Sequence, residues 1–244
     1  GRPGVDTAFD EGQMKIGRKL GTKLLNATKF VLGFGAPPAD AAPNAAIDRA
    51  MLARLAEVVD ESTRALDEFD YARALERTET FFWWFCDDYV ELVKGRAYGT
   101  QGDDAAHSAR AALRQALDIV LRLFAPFLPF VTEEVWSWWR EGSVHNARWP
   151  DAEPVRSLGD VSLLAPVSEV LAVVRRAKTE AKLSQRAAVD ELTVEGPSTT
   201  LLAIEACRTD LAEAGGIVQF TLSEGDNLLT NVRLAPSTDP KAAH

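Results

Sequence analysis

The sequence predicts a mainly α protein: a bundle of about five helices followed by a small α+β unit. Three observations lead there. Apolar residues recur at helical spacing through most of residues 10–140, and short β-branched or aromatic runs are confined to the region after residue 188. Glycine and proline cluster between these segments.

The first ten residues are turn-rich, and a helix is expected from about Asp10 to Leu32, with Ile16, Leu20, Leu24, Ala27 and Val31 as its apolar stripe. Gly33, Gly35, Pro37 and Pro38 stop it. A second helix is expected from Asn44, read as its cap, to Leu66, burying Met51, Leu52, Leu55, Val58 and Val59. The third begins near Asp70 and runs through Leu75, Phe82, Phe85, Tyr89, Leu92 and Val93. A fourth spans Ala105 to Leu123, closed by Pro126 and Pro129. The fifth opens at Thr132 and carries Trp136 and Trp139 to Gly142. Residues 1–150 are therefore read as one helical domain and 151–166 as a linker. Residues 167–236 form a small α+β subdomain and 237–244 a disordered tail. In that subdomain a helix is expected over Ser168–Lys182 and strands over Val189–Val194, Ile217–Leu222 and Leu229–Leu234. One helix, Thr199–Ala212, lies between the first two strands.

The 244 residues are 46% hydrophobic and 26% charged, ordinary globular proportions. The net charge of −9 argues against a whole-surface grip on nucleic acid, so any such binding rests on local basic patches. Cys86 and Cys207 share no metal-ligand or redox spacing. The opening does not read as a signal peptide and the apolar runs are short, so no membrane segment and a reducing, cytoplasmic location are expected.

The search for catalytic residues finds little. His107 sits in a polar, acid-preceded helix start and reads as solvated, His145 has no nearby Ser or Cys nucleophile partner in sequence, and His244 is the last residue. No phosphate-binding glycine loop or metal motif is present. Asp87-Asp88 and Glu133-Glu134 are adjacent rather than facing and read as solvated helix surface.

The first helix is more informative. With Lys15 at zero on a wheel of about 100° per residue, Asn26, Lys19, Phe30 and Lys23 fall at about 20°, 40°, 60° and 80°. Arg18, Thr22 and Lys29 flank them, and no acid lies between Lys15 and Lys29. Cations attract phosphates, an amide reads base edges and a ring stacks on bases. The alternative is a solvated cationic face with Phe30 tucked against a neighbour. Six basic and three acidic side chains in the first 35 residues run against the acidic average, and this favours the nucleic-acid reading. A second patch, Arg175, Arg176, Lys178, Lys182 and Arg186, is opposed only by Glu180; phosphate contact and plain solvation both fit it. The rings of Phe81–Phe85 and of Trp136, Trp138 and Trp139 read as core packing.

Several segments resemble bacterial valyl-tRNA synthetases. They are Gly4–Glu11, Lys15–Leu20, Lys23–Phe30, Trp84–Glu91, Pro126–Trp136 and Ser143–Pro150. Isoleucyl and leucyl relatives share these motifs, whereas Asp6-Thr7 looks valyl; from Val167 onward the likeness is weaker. The resemblance implies the C-terminal part of such an enzyme, from the helical anticodon-binding domain onward. The family activates valine with ATP and esterifies the tRNA 3′ end. Its HIGH and KMSKS signatures and its editing domain are not in this sequence, so catalysis is expected upstream and no cofactor here, with ATP used only by the whole enzyme.

By the same resemblance, Lys23, Asn26 and Phe30 contact anticodon bases, and Lys15, Arg18, Lys19 and Lys29 hold phosphates. Arg175, Arg176, Lys178 and Lys182 are further phosphate candidates. The expected partners are valine tRNAs and the upstream catalytic and editing domains of the same chain. The short Thr199–Ala212 helix is not the long coiled-coil arm of many relatives. An isoleucyl or leucyl fragment and a helical protein-docking scaffold are the rival readings.

Overall fold

The structure is a computed structural model and describes residues 11–236. The turn-rich opening and the tail expected over 237–244 lie outside these residues. Helix α1 runs Glu11–Leu32 and buries Leu20, Leu24, Thr28 and Val31. Glu11 in its first turn and Lys29 in its last complement the helix dipole.

Helix α2 spans Ala46–Asp67, and its N-terminal cap is a correction. Asn44 does not cap it. The backbone N–H groups of Asn44 and Ala45 instead donate to Ser108 Oγ, at 2.8 and 2.9 Å. Asp70 does cap α3, Tyr71–Trp84, accepting from the Arg73 N–H at 3.1 Å. The expected single helix then widens into a π-helical turn, Phe85–Tyr89, before α4, Val90–Tyr98, ends at Gly99 with φ +90°. Phe82, Phe85, Tyr89, Leu92 and Val93, spaced at helical intervals, are all buried in the core on either side of and within this turn.

Helix α5, Asp103–Phe124, is the central rod, with Leu113, Leu117, Val120 and Phe124 fully buried. Helix α6, Pro129–Ser137, starts at its proline rather than at Thr132, whose buried hydroxyl donates to the Leu128 carbonyl at 2.9 Å.

Residues 151–166 are not a free linker. Helix α7, Glu153–Arg156, packs on α2 and buries Ala152 and Val155, while Arg156 pairs with Asp60. A Cβ on Gly159 would sit 2.5 Å from the Ala50 nitrogen, so the two backbones touch. Few apolar residues lie in this stretch, but Ala152, Val155 and Leu163 are each buried.

Helix α8, Leu164–Glu180, leads into β1, Val189–Gly196. The expected Thr199–Ala212 helix is two, α9, Ser198–Ala206, and α10, Arg208–Gly215, broken at Cys207. Strands β2, Ile217–Glu224, and β3, Leu229–Leu234, flank β1 in the order β2-β1-β3, β2 parallel and β3 antiparallel. Leu192 stands opposite Phe220 and Val232 on the face covered by helices α8 to α10. One apolar cluster runs from Leu20 through Phe124 and Val155 to Leu211, so bundle and α+β part share a core.

A buried polar network crosses that junction. The Arg96 guanidinium donates to both Asp48 oxygens, each at 2.8 Å, and through Nε to Asp210 at 2.9 and 3.0 Å. Ser108 and Tyr89 also donate to Asp48, at 2.6 and 2.8 Å. Burial pushes the Asp210 carboxyl above its usual range, and Arg96 opposes that shift. Burial disfavours the Arg96 charge too, but Asp48 and Asp210 more than offset it and its pKa is raised.

Among the described residues no helix is long and apolar enough to cross a membrane.

Candidate nucleic-acid interface

Helix α1 lies on the bundle with α5 and α6 beneath it. Its buried residues Leu20, Leu24 and Val31 point inward at about 140–180° on the same wheel, so the outermost line is near 340°. Lys15, Arg18, Lys19, Asn26 and Lys29 occupy this crest and are all exposed. None makes a side-chain hydrogen bond or ion pair with another described residue. Four positive charges and an amide thus face solvent along about 14 residues, or about 21 Å of helix.

Lys23 and Phe30 sit on the flank turned toward α3 and α4, and here the structure corrects the sequence reading. Lys23 is not a free cation. Its Nζ is 2.6 Å from Asp87 Oδ1 in the π-helical turn and 5.7 Å from the Trp83 ring centroid. Phe30 is not a lone ring either. It is half-buried, edge-on to Phe34 at 5.0 Å and to Tyr98 at 6.2 Å, with Arg110 5.3 Å over Phe34. These partners come from 4 to 80 residues away, and only Phe34 is within reach of a local pattern. Sequence reasoning misses Asp87, Trp83, Tyr98 and Arg110.

The second patch divides. Arg176 and Lys182 are exposed and without an ion pair among the described residues. Arg175 is held by Asp88 at 2.7 Å and by the Asp87 carbonyl at 2.6 Å. Asp87 and Asp88 are therefore anchors rather than idle surface, the first clamping Lys23 and the second Arg175.

Lys178 is not placed to touch a phosphate. It is 1% exposed, and its ammonium donates to the carbonyls of Gly215 at 2.7 Å and Gln185 at 2.9 Å. Burial lowers its pKa, helped by the nearby Arg175 charge. Its role is to tie α8 to the turns before β1 and β2. Lys178→Ala is expected to cost about 3 kcal/mol by stranding two carbonyls, read as a lower urea midpoint.

The other rings behave as expected for core: Phe81, Phe82, Phe85 and Trp136 are buried, though Trp138 is 40% exposed. Among the described residues neither cysteine is placed as a nucleophile. Both cysteines are free and buried, their thiols pushed up to about 12 mainly by burial. His145 Nε2 lies 3.1 Å from the Pro129 carbonyl and makes no contact with a side-chain nucleophile. Among the described residues no group of His, Cys, Asp and Glu is arranged to hold a metal ion. What the described surface presents is a crest of exposed cations, an exposed amide at Asn26 and aromatic rings at the far end of α1.

Comparisons with known proteins agree with an RNA-facing role. Residues 48–194 match the model of the anticodon-binding domain of tRNA ligase. That match crosses residue 150 without a break, as does the packed core. The chain is 54% identical to the valine–tRNA ligase of Thermobifida fusca over 97% of its own length, 53% to that of Salinispora tropica over 94%, and 48% to that of Cutibacterium acnes over 96%. It spans 28%, 29% and 27% of those relatives, a little over a quarter of each. Matched by its family model over most of its helical bundle and on into β1, this chain belongs to the anticodon-binding domain family of tRNA ligases.

Proposed function

We propose that this chain is the anticodon-loop-binding part of a valine–tRNA ligase. The observation that carries the reading is the α1 crest: Lys15, Arg18, Lys19 and Lys29 exposed and unpaired among the described residues, around an exposed Asn26, in a chain of net charge −9. With acids in excess across the chain, these cations nonetheless have no partner among the described residues, and an extended polyanion satisfies them all at once.

In this reading Arg18, Lys19 and Lys29 hold phosphates, with Lys15 at the outer end, and Asn26 contacts a base. Arg176 and Lys182 remain candidate phosphate contacts. Lys23 reaches RNA only by exchanging Asp87 for a phosphate or base, and it retains 34% side-chain exposure for doing so. Phe30 stacks on a base by the ring edge and face that Phe34 and Tyr98 leave open. Activation of valine with ATP and esterification of the tRNA belong to the whole enzyme, and this chain contributes recognition. The names of the relatives favour valine over isoleucine or leucine as the cognate amino acid. A cytoplasmic location goes with that role.

Titration of the chain with a valine tRNA transcript at about 50 and about 200 mM salt tests this. Binding should weaken steeply with salt, and Lys19→Ala should flatten the log–log slope by about 0.7–0.9, one phosphate contact. A salt-insensitive affinity, or a slope unchanged by Lys19→Ala, contradicts it.

A further inference from the structure

The two basic patches are not separate. Tyr98 is 64% exposed and stands where they meet. On one side its ring lies edge-on to Phe34 at 5.1 Å and to Phe30 at 6.2 Å, the aromatic end of α1. On the other it borders a cleft of about 700 Å³ between α4 and the segment joining α8 to β1. Lys94, Arg175, Lys178 and Arg186 line this cleft, against the carboxylates of Glu91 and Glu213. Of these cations Lys94 is paired with Glu91, Arg175 with Asp88, and Lys178 is buried on two carbonyls. That leaves the Arg186 guanidinium as the one exposed cation in this lining without an ion pair to a described residue.

The acids in this cleft are already engaged. Glu91 is 3.1 Å from Lys94 Nζ. Glu213 accepts from the Thr100 hydroxyl at 2.9 and 3.0 Å, packed so closely on Gly95 that a Cβ there would fall 1.7 Å from its Oε2. Arg186 is exposed and makes no ion pair with a described residue. Tyr98 makes no hydrogen bond through its hydroxyl to a described residue, and its ring is open to solvent over most of its surface. An open ring and a guanidinium without an ion pair to a described residue, both lining one cleft large enough for a nucleotide, can take an unstacked base with its phosphate.

We propose that this cleft is a second RNA subsite, in which Tyr98 stacks on a nucleotide leaving the α1 face and Arg186 holds its phosphate. The inference rests on the anticodon-loop reading above and extends it: the single strand passes from the α1 crest over the Phe30–Phe34–Tyr98 rings into the cleft.

The test uses the full chain and the same valine tRNA transcript, with Tyr98→Ala, Tyr98→Phe, Arg186→Ala and Lys19→Ala compared. Tyr98→Ala should weaken binding between about fivefold and about a hundredfold, as loss of one stacked base does, while Tyr98→Phe stays near the unaltered chain. Arg186 is exposed, so its replacement leaves the fold alone; it should flatten the salt slope by about 0.7. If Lys19→Ala weakens binding but Arg186→Ala and Tyr98→Ala do not, the subsite is overturned and the α1 reading stands. If Lys19→Ala is also without effect, or the unaltered chain does not bind, both are overturned.

Discussion

Replacing Arg96 with methionine is expected to destabilise the protein by about 3–5 kcal/mol, because it leaves buried carboxylates without their counter-charge. Asp48 is fully buried and Asp210 is 5% exposed, and among the described residues Arg96 is the cation that bonds to both. Asp48 would retain Tyr89 and Ser108, and Asp210 would retain Gln101, all neutral donors. The pH dependence has a definite sign. A carboxyl whose folded pKa is raised favours the folded state while protonated, so its contribution is lost as pH rises through that raised value. Asp210 already shows the raised direction with Arg96 present. Without the guanidinium the shift grows, so the deficit of Arg96→Met should be smallest in acid and largest at neutral pH. Urea unfolding at several pH values, followed by tryptophan fluorescence, measures it. Because Asp210 lies on α10 and Asp48 on α2, the same variant should unfold the bundle and the sheet together at a lower midpoint.

Reversing the crest should have the second large effect. The triple variant Arg18→Glu, Lys19→Glu, Lys29→Glu is expected to bind the tRNA transcript about 100-fold more weakly at physiological salt. Each neutralised phosphate is worth about fivefold there from counterion release alone. All three positions are exposed and unpaired among the described residues, so the urea midpoint should hardly move. Loss of affinity with retained stability separates an interface from a structural helix. Filter binding or fluorescence titration of both chains reads the ratio.

How much of the fold and site is legible in the sequence depends on the range of the forces involved. The periodicity of Leu20, Leu24 and Val31 is a local pattern, and it places both the helix and its exposed crest. The Asp70 cap and the Gly99 end of α4 are equally local. Ser108 accepting the Ala45 N–H just before α2 from 63 residues away is not, nor is Asp87 holding Lys23 across 64 residues. A lysine on a helix wheel looks the same whether it faces water or a carboxylate from another helix. Lys178 shows the limit most plainly: adjacency groups it with Arg175 and Arg176, yet its long apolar stem carries the ammonium into the core to two carbonyls. The π-helical turn leaves no periodic signature of its own, and the packed 151–166 segment looks like a linker because burial there depends on the facing surface of α2. The strand order β2-β1-β3 is likewise beyond local pattern, since pairing joins residues 28 to 45 positions apart.

The central claim, that the α1 crest reads an anticodon loop, is tested most directly by the ratio of affinities for two transcripts identical except at the three anticodon bases. One carries a valine anticodon and the other an unrelated one, each titrated at low and at physiological salt. The account predicts tighter binding of the valine form at both salts, with an advantage that Asn26→Ala removes while the salt slope stays the same. Equal affinities at both salts would contradict it, leaving the helix as a cationic surface that grips RNA without reading it.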